Sequence, residues 1–307
     1  SKLVGAETLD LSVLPPLQHS YKEYCAFVLG RSDAPTLHEY WRNTLAGYVR
    51  NKLPFNYAGK KRKDVKGGMH SARRYIGPDL LQRLNLIVEQ HQVTFKAICV
   101  SAHIYLMHAI CAEDDVVTGV VTHDRPPISD GDRIMGCFLN TVPIRIKVNE
   151  TGDCLSLIRS VNKYLIEVMP YETHLSEIAK IAGDKAGSGN PVFDCLLNYT
   201  DFHVFGEWEA NETFSVNYEG MEWVLDNYSS EMTNTLFDLE VDRTYGNLSC
   251  RIKYVPAYFE REDVIYALDL YERILQQFAD LPSAGIDVSS LLNEAELSHL
   301  VYDFNDT

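Results

Sequence analysis

Between Asp79 and His91 the apolar residues Leu80, Leu84, Ile87 and Val88 recur at helical spacing behind Pro78, which suits a first turn. This spacing predicts an amphipathic helix. From Thr94 to Ala112 the chain is apolar nearly all round (Phe95, Ile98, Val100, Ile104, Leu106, Ile110). Lys96, His103 and His108 interrupt it, so the stretch predicts a buried central helix rather than a membrane span. Asp115 to His123, DVVTGVVTH, is continuous and β-branched, the pattern of a strand covered on both faces. Farther on, Phe237 to Asp242 and Leu248 to Tyr254 alternate, with Phe237, Leu239 and Val241 matched to Leu248, Cys250, Ile252 and Tyr254. With Tyr245-Gly246-Asn247 as the turn, they predict a hairpin that sets Glu240 and Asp242 opposite Arg251 and Lys253. Val264, Leu268, Tyr271, Leu275 and Phe278 make a further helical stripe, with Glu262 and Asp263 in its first turn as the helix dipole prefers. Near the start, beyond Pro15-Pro16, Tyr21 to Leu29 and Leu37 to Leu45 read as two short helices. Strands interleaved with helices, one of them buried, predict an α/β sandwich layered on one mixed sheet.

Composition narrows the partners. At 307 residues and 46% hydrophobic content the chain can bury one sizeable core or two small ones. A formal charge of −15 repels phosphate backbones and anionic lipid, which excludes sequence-independent nucleic-acid binding and membrane-surface binding. The one basic run, Gly59 to Gly68, is flanked by glycines and reads as a solvated loop. Seven scattered cysteines, odd in number and never spaced CxxC, point to neither a disulfide framework nor a metal site. A reducing cytoplasm is the expected compartment. The opening SKLVGAETLD lacks the pattern of a signal peptide and reads as mid-chain.

Candidate chemistry is sparse. His103 and His108 stand five apart, so they do not share a helix face as a metal pair at four would, and core histidines are expected. Gly187-Ser188-Gly189 has a strand rather than a helix after it, which favours a turn over a phosphate loop. The most informative stretch is MGCFLNTVPIR, Met135 to Arg145, where Gly136 permits close backbone approach and Asn140-Thr141 precede a strand. It is accompanied by YKEYCAF at Tyr21 to Phe27, NPVFDCLLNYTDF at Asn190 to Phe202 and LLNEAELSHLVYDFNDT at Leu291 to Thr307. In this order and spacing the four segments resemble the second half of a condensation domain of a nonribosomal peptide synthetase, with the last similar to the linker toward an adenylation domain. The family's catalytic signature, HHxxxDG, would lie upstream, and this sequence contains no His-His pair. His123 precedes Asp130-Gly131, but six residues rather than three intervene and Pro126-Pro127 break the run, so the segment reads as a loop.

The resemblance implies the chloramphenicol-acetyltransferase-like fold, with residues 1–50 as a helical connection, 51–285 as the C-terminal lobe and 286–307 as the start of the linker. It implies a floor loop near Gly136 to Thr141 and a latch over roughly His203 to Tyr228. It also implies peptide-bond formation between two thioesters carried on phosphopantetheine arms, with no metal and no catalytic residue in this chain. The implied partners are the N-terminal lobe, donor and acceptor carrier proteins and an adenylation domain. Gly136, Asn140, Thr141, Asn198 and Tyr199 are the candidates for the tunnel wall and floor, while backbone capping is the competing role for Asn140 and Thr141 and a structural ion pair that for Arg145. Where the family commonly has HQDYPFE this chain has IEVMPYE (Ile166 to Glu172), and where it has RDxSRNPL this chain has KAGSGNPV (Lys185 to Val192). Those departures bear on acceptor specificity. A degenerate domain that docks carrier proteins or tailoring enzymes is the alternative, and a stand-alone acyltransferase using coenzyme A a third reading.

Overall fold

The computed structural model describes residues 16–53, 69–125, 128–184, 190–201, 214–218, 221–225, 234–244 and 246–293. Elements follow in the order α1 (Tyr21–Ser32), α2 (Pro35–Thr44), β1 (His70–Ile76), α3 (Pro78–His91), α4 (Phe95–Cys111), β2 (Asp115–His123) and β3 (Leu139–Lys147). Then come α5 (Cys154–Glu167), α6 (Leu175–Ala182), β4 (Cys195–Thr200), β5 (Phe214–Tyr218), β6 (Met221–Leu225), β7 (Phe237–Asp242), β8 (Leu248–Tyr254) and α7 (Arg261–Asp280). Six strands form one mixed sheet in the order β1-β8-β7-β4-β2-β3, parallel where β4 meets β2 and β7 and antiparallel elsewhere; β5 and β6 pair as a separate hairpin. The expected α/β mixed-sheet sandwich is the observed fold.

The apolar residues that predict the elements also hold them together. One core lies between the sheet and α3, α4, α5 and α7, with Ile98, Tyr105, Leu157, Leu239, Ile252 and Tyr271 all buried. A smaller one lies under α2 and α6, where Leu37, Trp41, Ile178 and Phe193 cover Val117 of β2. The central helix α4 is buried from Phe95 to Met107 apart from Lys96, and its Thr94 cap accepts from the Ala97 amide at 3.1 Å. No single helix among the described residues is long and apolar enough to cross a membrane. In β2, Gly119 lies against the Phe193 ring, where an added Cβ would fall 2.4 Å from Cε2; only glycine lets the ring seat there. All seven cysteines are free thiols.

The hairpin forms in the expected register, Leu239 opposite Ile252 and Glu240 opposite Arg251. Glu240 accepts from Arg251 Nε at 2.7 Å and pairs with Lys253 Nζ at 2.5 Å, but Asp242 stands opposite Ser249 and its carboxylate accepts from Thr200 Oγ1 at 3.2 Å. The Leu239–Ile252 register decides this, because it places Lys253 opposite Asp238 and leaves it to reach Glu240 diagonally. Residues after α7 return to the lobe: the Cys154 amide donates to the Ala284 carbonyl at 3.0 Å and Arg273 donates to the Leu291 carbonyl at 2.9 Å. The basic run, Gly187-Ser188-Gly189, most of the latch outside β5 and β6, and the chain from 294 onward lie outside the described residues.

Candidate functional site

Parallel pairing puts the carboxyl ends of β2, β4 and β7 along one edge of the sheet, the edge at which open α/β sheets bind ligands. The five candidate residues collect near it without forming a single cluster. Asn140 pairs with Thr122 and Thr141 with Val121 at the start of β3, so these neighbours leave the strand on opposite faces. Asn140 Nδ2 donates to the Thr173 carbonyl at 3.0 Å, which ties β3 to the turn before α6. Asn198 and Tyr199 likewise diverge. Tyr199 packs on the larger core beside Phe95, with its hydroxyl 3.1 Å from Asp201 Oδ2, while Asn198 stands next to Glu240 on the other face. Gly136 precedes β3, directly beneath α1, where an added Cβ would lie 2.2 Å from Cδ2 of Tyr21.

That contact organises the mouth of the site. The Tyr21 hydroxyl donates to the Cys137 carbonyl at 2.7 Å, and its ring meets Phe138 edge-on at 5.3 Å between centroids. Tyr24, one turn on, lies 4.7 Å from the same Phe138 ring, and Arg125 covers that ring at 4.1 Å. At the far end of α1, Arg31 donates to Asp124 Oδ2 at 2.7 Å, and the Tyr24 hydroxyl approaches the same oxygen at 3.5 Å. Burial and the neighbouring Asp124 charge push the Tyr24 phenol up to about 12, so it remains a hydrogen-bond donor at neutral pH. Between α1, the start of β3 and Thr173-His174 these groups enclose a recess of about 240 Å³.

Behind the recess, the buried Glu172 accepts from Thr122 Oγ1 at 2.7 Å, and burial raises its carboxyl above the usual range. Lys96 donates to the Val121 carbonyl at 2.9 Å, and burial lowers its ammonium. Deeper still, His103 Nε2 lies 2.8 Å from Thr118 Oγ1, which in turn lies 3.3 Å from Cys195 Sγ. This chain of groups is not a nucleophile with its base. Burial drops the His103 imidazole to about 3 and pushes the Cys195 thiol up to about 12, and both are shut in the core. His103 is a core histidine as expected, although its Nδ1 is buried without a partner; His108 Nδ1 bonds the Glu113 carbonyl at 3.0 Å. Arg145 forms the expected ion pair, with Nη2 at 2.7 Å from Asp115 Oδ2. The arrangement can bind and orient a polar group.

Sequence reasoning missed Arg31, Asp124, Thr173 and the role of Tyr24. Tyr24 and Glu172 lay inside motifs already singled out, but the partners they meet come from segments about 100 and 50 residues away, a pairing that no local spacing reports.

Comparison with known proteins agrees with the geometry. A family model described as Condensation domain matches residues 7–301. Among curated proteins the chain is similar to bacitracin synthase 3 of Bacillus licheniformis, 24% identical over 94% of this chain and 4% of that protein. It is also similar to surfactin synthase subunit 1 of Bacillus subtilis (strain 168), 26% identical over 95% of this chain and 8% of that protein. It thus spans less than a tenth of the length of either. Among solved structures it resembles the X-domain from teicoplanin biosynthesis in complex with OxyB, with TM-score 0.71 and 16% identity over 92% of this chain and 62% of that one. A four-domain nonribosomal peptide synthetase bound to AMP and glycine gives TM-score 0.70 and 18% identity over 83% of this chain and 20% of that one. With its sheet, its helical layers and nearly its whole length accounted for by one model, the chain belongs to the condensation-domain family of nonribosomal peptide synthetases.

Proposed function

We propose that this chain is the acceptor-side lobe of a condensation domain that joins a donor acyl or peptidyl thioester to the amine of an acceptor aminoacyl thioester. The observation that carries the reading is the family match over residues 7–301 in a sequence with no His-His pair. The amine nitrogen attacks the thioester carbonyl carbon, the amide bond forms as the carbon–sulfur bond breaks, and the thiolate leaves while the nitrogen gives up a proton. A free amine is a competent nucleophile here, so holding two tethered substrates together supplies much of the acceleration. In this reading the proton-handling histidine belongs to HHxxxDG on an N-terminal lobe. Two histidines support that division, His103 being shut in the core and His108 held at its margin.

Gly136, Asn140, Thr141, Asn198 and Tyr199 then belong to the wall and floor on this side of the tunnel. Gly136 and Asn140 act by fixing α1 and the Thr173 turn against β3, and Asn198 by lining the opposite sheet face. The phosphopantetheine arms arrive on donor and acceptor carrier proteins, residues 1–50 lead in from the first lobe, 51–285 form this lobe, and 286–307 lead toward an adenylation domain. The reading is tested with the chain extended upstream through HHxxxDG and supplied with loaded donor and acceptor carriers. Dipeptidyl thioester on the acceptor carrier is expected, and an acceptor that keeps its single aminoacyl group contradicts it.

A further inference from the structure

Most of the cysteines are closed off by burial. Cys99, Cys154, Cys195 and Cys250 are buried, and burial pushes the Cys111 thiol up as well. Two neighbouring pairs, Cys99 with Cys250 and Cys111 with Cys195, fall within that set. Cys25 and Cys137 differ in position. Cys25 is half-buried and stands one turn after Tyr21 on α1, while Cys137 is exposed and follows Gly136 ahead of β3. Tyr21 brings these distant segments together: its ring leaves Gly136 no room for a Cβ, and its hydroxyl donates to the Cys137 carbonyl at 2.7 Å. Burial raises the Tyr21 phenol, and the Cys25 and Cys137 thiols beside it push it the same way. Both cysteines line the recess of about 240 Å³ between α1 and the start of β3.

We propose that Cys25 and Cys137 are an oxidisable dithiol that takes a peroxide as its oxidant and, as a disulfide, fastens α1 to the segment leading into β3. The Cys137 thiolate attacks a peroxide oxygen, the oxygen–oxygen bond breaks, and hydroxide leaves a sulfenic acid behind. The Cys25 thiolate then attacks that sulfur, the sulfur–sulfur bond forms and a second hydroxide departs. Each hydroxide takes up the proton of one thiol, so two thiols and one hydrogen peroxide become one disulfide and two waters. Exposure gives the first step to Cys137, and its place inside the recess gives the second to Cys25. In the reduced chain α1 rests here on ring contacts with Phe138 and the Arg31–Asp124 ion pair, contacts that can open. The disulfide replaces them with a bond that cannot, and so closes the recess under oxidation.

The full chain treated with hydrogen peroxide, alkylated and digested with trypsin tests this by mass spectrometry. Cys25 falls in the peptide 23–31 and Cys137 in the peptide 134–145, each with no second cysteine, and these two peptides are expected joined. Joining of Cys99 to Cys250 or of Cys111 to Cys195 in their place, a dimer linked through Cys137, or alkylation of both Cys25 and Cys137 after peroxide would overturn the pairing. In Cys25→Ser, dimedone should capture the Cys137 sulfenic acid severalfold more than in the native chain, whereas Cys137→Ser should leave Cys25 reduced. Dimedone on Cys25 instead would reverse the order of attack. Hydrogen exchange along α1 should slow about tenfold or more on oxidation and recover with dithiothreitol, since the link restrains the opened chain. Exchange that is the same before and after oxidation would show that the bond does not hold α1 down.

Discussion

His103 shows how a single residue is set by its surroundings. Its imidazole is fully buried, holds Thr118 with one nitrogen and leaves the other unpartnered, and is held to about 3 by burial. Its folded pKa is lowered below the unfolded value of about 6.5, so the unfolded chain binds the extra proton. The stability it contributes is complete above pH 6.5 and declines as the pH falls toward 3, by about 2 kcal/mol at pH 5. Chemical denaturation of the native chain and His103→Gln at pH 7 and pH 5 should show that decline only in the former; equal slopes would place the titration elsewhere. Gly136 offers a second test. An alanine Cβ would lie 2.2 Å from the Tyr21 ring, so Gly136→Ala should lift α1 and cost about 1–3 kcal/mol, an overpacking cost. In the double variant with Tyr21→Ala most of that cost should vanish, and hydrogen exchange along α1 reads it. The sequence reading expected another backbone to approach Gly136, whereas the structure sets the Tyr21 ring there. That an aromatic ring of α1, more than 100 residues earlier, makes the approach was not legible, because nothing in the local pattern of either segment points to the other.

Among the elements, those with the clearest apolar pattern, periodic or continuous, were the most legible: α3, α4, β2, the β7–β8 hairpin and α7 all occupy the expected stretches. Alternation predicted which side of the hairpin is buried but understated its surroundings. β7 and β8 are interior strands, so Asp238 and Lys253 on the charged side are buried too. This is why Lys253 and Arg251 converge on Glu240, since a buried charge without a partner costs several kcal/mol. Leu239→Asp, which puts a charge among apolar neighbours, should destabilise the lobe by roughly 3 kcal/mol or more. An unchanged denaturation midpoint would show that β7 is not where the core is built. β1, α5 and α6 went unread. β1 carries the charged and polar run SARRY, which lacks a hydrophobic alternation; its Arg74 is taken up by Asp269 and Glu272 of α7, a tertiary solution to a sequence that looks exposed.

At the scale of the whole molecule, the sheet edge, the α1 recess and an exposed apolar fringe lie together. Met135 is 90% exposed, and Phe27, Leu29 and Leu139 are exposed nearby, more than scattered surface residues require. If that fringe meets an N-terminal lobe, binding of an apolar dye by this chain should fall when the lobe is added in trans, and unchanged fluorescence would leave the two-lobe arrangement unsupported. The family was legible because four motifs kept their order, while the site was not, since its partners come from α1, the end of β2 and the turn before α6. In the proposed reading this chain holds and shapes the tunnel while the proton-handling group comes from an N-terminal lobe. The most direct measurement is mass spectrometry of the acceptor carrier after incubation with loaded donor, acceptor and this 307-residue chain, with and without an N-terminal lobe containing HHxxxDG. Both thioesters should remain uncondensed with the chain alone and dipeptidyl thioester should appear when the lobe is added; dipeptide made by the chain alone would mean that the catalytic group lies on this side after all.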